Sequence, residues 1–463
     1  MTDAPPDQAD RRPVVLIANR GEIAARVIAA CHRIGAEAVL AVSAADASSP
    51  NARRADRTIV IGPAAASQSY LNPEFIAQAA VNAGADVVHP GYGFLSEQPK
   101  LPRLLAEEGI GWAGPSPETL EAVGDKASAR AIARKAGVPV GAGADIDDLD
   151  DVGTLAETVG YPLLIKAVHG GGGRGIKHVS DADELQRLAP IAAAEALAAF
   201  GRDELYLERY YGAARHVEVQ VFGDGLGGCQ VFGDRDCSVQ RRHQKLIEEC
   251  PAPGLTVERR ARLHAAAAAL VRELHYAGAG TVEFLVDTES DDIVFLEMNA
   301  RIQVEHPVTE EAYGIDLVAA QLLFALGRPT GLPDVPPVPP VAVIECRINA
   351  EDPFRDFQPV AATFGTISWP TGPGIRVETQ IEPGYSFPPF YDSLMAKLIV
   401  RAHDRDAAVA GLRAAVTSTV IGVDVSTLPV AEFVLGHPDF QAGGVTTTWF
   451  GPRWDEFVAE RVA

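Results

Sequence analysis

Near the start of the chain, short uninterrupted apolar blocks alternate with helical patterns. VVLIA at residues 14–18 reads as a buried strand, and NRGEIAARVIAACHRIG after it predicts an amphipathic helix ending near Gly35. AVLAV predicts a second strand and PEFIAQAAVNAGA a second helix. DVVHP predicts a third strand, running into the loop GYGFLSE at residues 91–97. This alternation predicts a parallel sheet with crossover helices, ending around GWAGPSPE at residues 111–118. Two helical stretches then bracket GDKASA at residues 124–129. AGVPVGAGADIDDLDD follows as a turn-rich loop whose acids read as solvated. Residues 138–210 predict a small unit: strand PLLIKAV, a glycine loop, strand GIKHVS, a helix and strand ELYLERY. A unit of that size can move as a lid. HVEVQVF, TVEFLV and IVFLEM have period-2 character and predict a mixed or antiparallel core. RARLHAAAAALVREL at residues 260–274 reads as a packing helix. PDVPPVPP at residues 333–340 reads as a stiff connector into a last region mixing strands and helices.

Composition narrows the function classes. The 463 residues allow about two or three domains. Lys plus Arg is 40 against 62 Asp plus Glu, a formal charge of −22, which argues against nucleic acid or an anionic membrane as partner. The five cysteines are scattered and form no CxxC pair, as in a reduced cytosolic protein. The first residues are polar and no long apolar run occurs, so a cytoplasmic location is expected.

Two segments carry chemistry. HGGGGRGIK at residues 169–177 satisfies GxGxxG, but a strand-like pattern follows where a dinucleotide site needs a helix. The Walker pattern fails as well, because Ile176 stands where lysine is required. A loop between two strands remains, whose backbone N–H groups can close over phosphates, with Lys166 upstream to meet a phosphate oxygen. The second segment is EMNARIQVEHPVTE at residues 297–310. A strand that delivers Glu297 and Asn299 to one face can hold Mg²⁺. Arg301 offers a planar fork for a small oxyanion, and Glu305 a general base beside it. Metal, anion clamp and base together suggest ATP-driven activation of a carboxylate-like substrate.

The chain resembles the biotin carboxylase component of biotin-dependent acyl-CoA carboxylases, in the ATP-grasp superfamily. IANRGEIAAR, HPGYGFLSE, GPSPETLEAVGDK, HGGGGRGIK, HVEVQVF, DRDCSVQRRHQKLIEECPAPG, GAGTVEFL, EMNARIQVEHPVTE, ECRINAEDP and YDSLMAKLIV carry the resemblance in the family's order. It implies an α/β and α+β architecture. A parallel-sheet domain would span residues 1–117, an ATP-grasp domain 118–332 with a mobile lid at about 138–210, and a mixed α+β domain 333–463. It also implies that MgATP (or MnATP) phosphorylates bicarbonate to carboxyphosphate, whose carbon dioxide is trapped by biotin on another protein. Lys126, Lys166, Gly172 and Gly173 would then meet ATP phosphates. Glu208 and the backbone around Arg209 and Tyr211 would hold adenine, with His216, Gln240 and His243 near the ribose and phosphates. Glu283, Glu297 and Asn299 would carry the metal. Lys245, Arg301, Gln303 and Val304 would hold bicarbonate, Glu305 would remove its proton, and Arg347 would stabilise the biotin enolate.

His169, Ile176 and Arg209 depart from the family's usual glycine, methionine and lysine, but none removes a catalytic side chain. Cys237 lies inside a site motif, yet nothing in the sequence indicates a lowered thiol pKa. The only methionines are Met1, Met298 and Met395, so the Met-Lys-Met of a biotin carrier cannot occur. Carrier and carboxyltransferase are therefore expected on other chains, and a homodimer is expected from the family. A purine-pathway carboxylase would lack RRHQK with EHPVTE and ECRINAEDP. A non-catalytic paralogue would have lost Glu305, Arg301, Lys245 or Arg347, and all four are present.

Overall fold

The computed structural model describes residues 11–146, 148–168, 176–290, 292–334, 339–423 and 425–462. The first strands are β1 (Val14–Ile17), β2 (Glu37–Ser43), β3 (Arg57–Gly62), β4 (Val87–His89) and β5 (Gly111–Trp112). All pair in parallel, in the order β3-β2-β1-β4-β5. The sequence pattern predicts this sheet but passes over β3, so DVVHP forms the fourth strand of the chain, not the third. β3 is an edge strand with exposed positions, which blurs its apolar signal. The helix Gly21–Arg33 buries Ile23, Ala24, Val27 and Ile28 against one face of the sheet.

A second unit is the four-stranded antiparallel sheet β6 (Gly143–Ile146), β7 (Leu163–Ala167), β8 (Ile176–Val179) and β9 (Leu205–Arg209), in the order β6-β9-β7-β8. β6 lies within the stretch expected to be a loop: Gly143 to Ile146 pair with Glu208 to Leu205, a partner about sixty residues away that local turn signals do not reveal. The aspartates Asp148, Asp150 and Asp151 that follow are exposed. This sheet has its own apolar core, built with the helices Val152–Val159 and Ala182–Phe200.

The third sheet organises the molecule. Its strands are β10 (Ala214–Asp224), β11 (Cys229–Arg241), β12 (Gln244–Cys250), β13 (Ala277–Asp287), β14 (Ile293–Asn299) and β15 (Ala342–Asn349). Two short ribbons follow, β16 (Glu351–Asp352) with β17 (Gln358–Pro359), and β18 (Ala362–Thr363) with β20 (Ser386–Phe387). β19 (Ile375–Thr379) and β21 (Leu394–Ala402) complete the order β14-β13-β10-β11-β12-β15-β21-β19, antiparallel throughout. Val217, Val219, Val221, Val282, Phe284 and Val286 bury one face of β10 and β13 against Leu263, Ala267 and Leu270 of the helix Val257–Glu273. The β12–β15 pairing makes the sheet continuous from residue 214 to residue 402, so side chains far apart in sequence meet on its polar face.

Candidate active site

Period-2 alternation builds the floor of the site. While the valines of HVEVQVF enter the core, His216, Glu218 and Gln220 take the other face. Register aligns Arg235 of β11, Glu218 of β10, Glu283 of β13 and Glu297 of β14 as successive cross-strand neighbours. A tight turn joins β11 to β12. Its central residues, Arg242 and His243, have φ of 49° and 67°, the left-handed pair that a type I′ hairpin requires. The turn brings Lys245 beside the row of carboxylates.

Lys245 is the hub. Its ammonium lies 2.6 Å from Glu218 Oε2, 3.0 Å from Glu283 Oε1 and 2.6 Å from Glu305 Oε1. Glu305, fully buried just before the helix His306–Tyr313, accepts from Arg347 Nη2 at 3.1 Å through its second oxygen. Arg347 also donates through Nε to Glu248 Oε1 at 2.6 Å. Arg235, with no solvent exposure, holds Glu218 Oε1 at 2.5 Å and spends its other N–H groups on Gln220, Thr309 and Thr281.

These charges set one another's protonation. Burial would raise Glu305, but Lys245, then Arg347 and Arg235, hold it well below the ordinary carboxylate range. Glu283 is held low against burial by Lys245 and His216. Burial would lower Lys245, yet Glu218, Glu283 and Glu305 keep it well above its usual value. Glu305 is thus an anion of reduced basicity. It can take a proton only from a group that the same cations have made more acidic.

A second chain of contacts runs through Arg301. Nη2 donates to Asn299 Oδ1 at 2.8 Å, Nη1 to Gln303 Oε1 at 2.8 Å and Nε to Glu97 Oε2 at 3.0 Å. Gln303 Nε2 reaches Glu283 Oε1 at 3.1 Å, which closes the chain onto Lys245. Val304 takes part through its carbonyl, which accepts from the buried Lys397 at 2.7 Å. His216 is held between Gln240 Nε2 at 2.7 Å and Glu283 Oε2 at 3.0 Å.

The expected nucleotide residues are arranged less uniformly. Lys166 on β7 ion-pairs with Glu208 on β9, whose other oxygen accepts from Arg130 at 2.6 Å. Lys126 opens the helix Lys126–Lys135, capped by Asp125, and is exposed. The Arg209 guanidinium turns to the Tyr161 carbonyl at 2.5 Å, and the backbone N–H of Arg209 donates to the Ala142 carbonyl. Tyr211 is half-buried and His243 is exposed at the turn. Gly172 and Gly173, with His169, lie outside the described residues, whereas Ile176 opens β8.

Among the described residues, donor atoms within 4.8 Å of one another belong to His216, Glu218 and Glu283, and to Glu218, Cys237 and Glu305. Glu297 joins neither group. It is exposed beside them, with Asn299 Nδ2 at 3.5 Å from its Oε1. The oxygens of Glu283, Glu297 and Asn299 are the hard donors that Mg²⁺ or Mn²⁺ takes when phosphate supplies further ligands. Cys237 Sγ is 3.8 Å from Glu305 Oε1, and burial, with Glu218, pushes its thiol well up, so it is no nucleophile. His306 Nδ1 donates to the Gln303 carbonyl at 2.7 Å, and burial with nearby cations keeps the ring neutral.

Sequence reasoning missed four residues of this site. Glu218 and Arg235 were legible in principle, as polar residues on strands, in HVEVQVF and DRDCSVQ. Glu97 and Glu248 give no local signal, because each acquires its role from a partner about two hundred or one hundred residues away.

Three family models match in succession: "Biotin carboxylase, N-terminal domain" at residues 12–120, "Carbamoyl-phosphate synthase L chain, ATP binding domain" at 125–332 and "Biotin carboxylase C-terminal domain" at 345–451. The chain belongs to the biotin carboxylase family. The biotin carboxylase of Haemophilus influenzae is 43% identical over 433 residues, covering 93% of this chain and 96% of that protein. A Campylobacter jejuni biotin carboxylase solved as a β-γ-ATP complex superposes with a TM-score of 0.90 at 39% identity, over 96% of this chain and 99% of that one. The biotin carboxylase domain dimer of Hydrogenobacter thermophilus 2-oxoglutarate carboxylase, solved with MgADP, ADP and bicarbonate, gives 0.88 at 41% identity, over 94% and 96%. The architecture of this family member is therefore the biotin carboxylase ATP-grasp fold, with its parallel sheet at the N-terminal end. Among the described residues no helix is long and apolar enough to cross a membrane.

Proposed function

We infer that the protein is a ligase that carboxylates biotin with ATP and bicarbonate, by way of carboxyphosphate, as the first half-reaction of a biotin-dependent carboxylase. The observation that carries this reading is Lys245 clamped by Glu218, Glu283 and Glu305, with Arg347 on the second oxygen of Glu305. Two cations beside one ionised carboxylate can bind a small anion and make its proton acidic enough for that carboxylate to remove. Lys245, Arg301, Gln303 and Val304 hold bicarbonate, and Glu305 takes its proton. Lys126 and Lys166 meet the ATP phosphates, with Gly172 and Gly173 closing over them. Glu208, Arg209 and Tyr211 line the adenine end, and His216, Gln240 and His243 the ribose and phosphate end. Glu283, Glu297 and Asn299 would hold Mg²⁺ (or Mn²⁺), which would offset charge on the transferring phosphoryl group. Arg347 faces the biotin enolate oxygen.

The same reading divides the chain into a domain at residues 1–117, an ATP-grasp domain at 118–332 with a lid at about 138–210, and a domain at 333–463. The separate core of the four-stranded sheet supports the lid. The biotin carrier and carboxyltransferase are other chains, the protein forms a homodimer, and it works in the cytoplasm. The acyl-CoA acceptor belongs to the carboxyltransferase. The deciding experiment is ATP hydrolysis assayed with and without bicarbonate, then with free biotin or purified carrier. Hydrolysis that needs bicarbonate and is stimulated by biotin is expected. An intact, folded preparation that biotin does not stimulate would sink the reading.

A further inference from the structure

Arg347 is shared between two carboxylates, Glu305 and Glu248, and Glu248 has an unusual neighbour. Glu345 of β15 is its direct cross-strand partner. Both are fully buried. Glu248 Oε2 and both oxygens of Glu345 have no hydrogen-bond partner among the described residues. The nearby cation Lys397 is committed elsewhere, to the Val304 carbonyl at 2.7 Å and Glu22 Oε2 at 3.1 Å. Three unpartnered oxygens on two adjacent, fully buried carboxyls cannot carry two negative charges, because neither ion would recover its lost hydration. One proton resolves the conflict: a protonated carboxyl is a donor, and its cross-strand neighbour is the acceptor.

We propose that Glu248 and Glu345 form a one-proton carboxyl pair, with Glu345 the neutral acid, and that this pair positions Arg347 for biotin. The proposal rests on the reading of Arg347 given above. Its logic is a division of one guanidinium between two anions. While Glu305 is ionised, Arg347 is held on both sides, at 2.6 Å by Glu248 and at 3.1 Å by Glu305. Once Glu305 has accepted the bicarbonate proton, that side of the fork is released. Ionised Glu248 then keeps the guanidinium in place while its free N–H groups turn to the oxygen of the biotin enolate. A second charge on Glu345 would overbind Arg347, and a second proton on the pair would leave it without an anchor.

Burial and the Glu305 charge, opposed by Arg347, push Glu248 up to about 7. Burial, with Glu248 adding and Lys397 opposing, holds Glu345 well above the carboxylate range. The groups facing Glu248 are Arg347, Glu345 and Cys346 from β15, Lys245 from its own strand, Cys237 from β11 and Glu305. Those facing Glu345 are Lys397 from β21, Arg347, Cys346, Glu248 and Glu305. As pH falls through about 7, the pair gains its second proton and Arg347 loses its anchor. The biotin reaction should therefore show an acid limb near neutrality.

The test measures kcat/KM for free biotin between pH 6 and 9, alongside bicarbonate-dependent ATP hydrolysis without biotin. Glu248→Gln should lower kcat/KM for biotin about tenfold to a hundredfold, the range for losing a hydrogen bond to a charged group, and remove the acid limb. It should affect hydrolysis without biotin less. Glu345→Gln keeps a neutral donor, so it should lower kcat/KM less than about threefold and leave the limb close to its place. Glu345→Leu removes the donor and should displace the limb upward. Glu248→Asp, which keeps the charge but shortens its reach, replaces Glu248→Gln if that variant does not fold, and should raise KM for biotin. The proposal is overturned if Glu345→Gln is as damaging as Glu248→Gln, or if the acid limb stays in place in the Glu248 variant. Arg347→Lys separates the two ideas: unchanged biotin kinetics there would remove the role of Arg347 itself, whereas damage there with an innocuous Glu248 variant would remove only the carboxyl pair.

Discussion

Glu305→Gln isolates the proton-accepting step. The side chain is fully buried, and each oxygen faces a cation, Lys245 at 2.6 Å and Arg347 at 3.1 Å. Glutamine keeps the volume and one acceptor, but turns an N–H₂ donor toward one of those cations. Neither cation is stranded: Lys245 retains Glu218 and Glu283, and Arg347 retains Glu248. The stability loss is therefore about 1.5–3 kcal/mol, one charge-assisted hydrogen bond, and the fold survives. The kinetic loss is larger. A positioned general base contributes about 10²–10⁴-fold, or about 2.7–5.5 kcal/mol of barrier at 1.36 kcal/mol per decade. Bicarbonate-dependent ATP hydrolysis should fall by that factor. ATP affinity, read by calorimetry without bicarbonate, should change less than about threefold, because the hydrogen bonds of Glu305 run to Lys245 and Arg347 and not to the residues assigned to adenine. A folded variant with turnover within tenfold of the parent refutes Glu305 as the base. A parallel collapse of ATP affinity shows that its role is architectural.

Three further outcomes follow from the same charge network. Glu218→Gln leaves Arg235, which has no solvent exposure, without a carboxylate, and should destabilise the protein by about 3–5 kcal/mol in denaturant titrations. A midpoint within error of the parent would contradict it. Glu97→Gln loosens Arg301 through a half-exposed ion pair worth up to about 1 kcal/mol, so KM for bicarbonate should rise about two- to fivefold with KM for ATP unchanged. Stability should respond to pH with two signs. Glu283 and Glu305, held low in the fold, contribute stability that is present above the ordinary glutamate value of about 4.3 and lost as pH falls through their lower folded values. Glu248, raised to about 7, favours the fold below its unfolded value, and that contribution is lost as pH rises through 7. A stability curve flat from pH 6 to 8 in the parent, and unchanged in Glu248→Gln, would oppose the second sign.

Much of this architecture was legible because its cause is local. Alternating valines place Glu218 and Glu283 on one face of adjacent strands, and the strand ending in Glu297 and Asn299 points to a metal and phosphate site from its residue types alone. The hub at Lys245 was legible only through the family motif RRHQK, since its three carboxylates come from residues 218, 283 and 305 and meet by strand register. The tether of Arg301 to Glu97 and the pairing of Glu248 with Glu345 were not legible. Both depend on which strands and loops become neighbours, and β12 meets β15 across about a hundred residues of chain. β6 and β3 were overlooked for related reasons: one borrows its pairing from a distant strand, and the other lies at a solvent-exposed edge.

The charge balance carries a consequence for substrate recognition. Four of the cations assigned to anionic substrates already hold protein carboxylates: Lys245 holds three, Lys166 holds Glu208, Arg301 holds Glu97 and Arg347 holds two. A bare guanidinium or ammonium in a chain of net charge −22 would bind any small anion, and with it water in place of substrate. Pairing with carboxylates instead makes binding an exchange. Bicarbonate or phosphate gains its cation only by displacing, or sharing with, an oxygen that is already well placed. The net gain per contact is small, so weak anions are rejected and several cations must be satisfied together. Phosphate of ATP and bicarbonate draw on opposite ends of one linked chain, from His216 through Glu283 and Lys245 to Glu305. Filling one end should thus alter what the other end has to give up. Glu283, which touches Lys245, His216 and Gln303 at once, is the residue through which that exchange must pass.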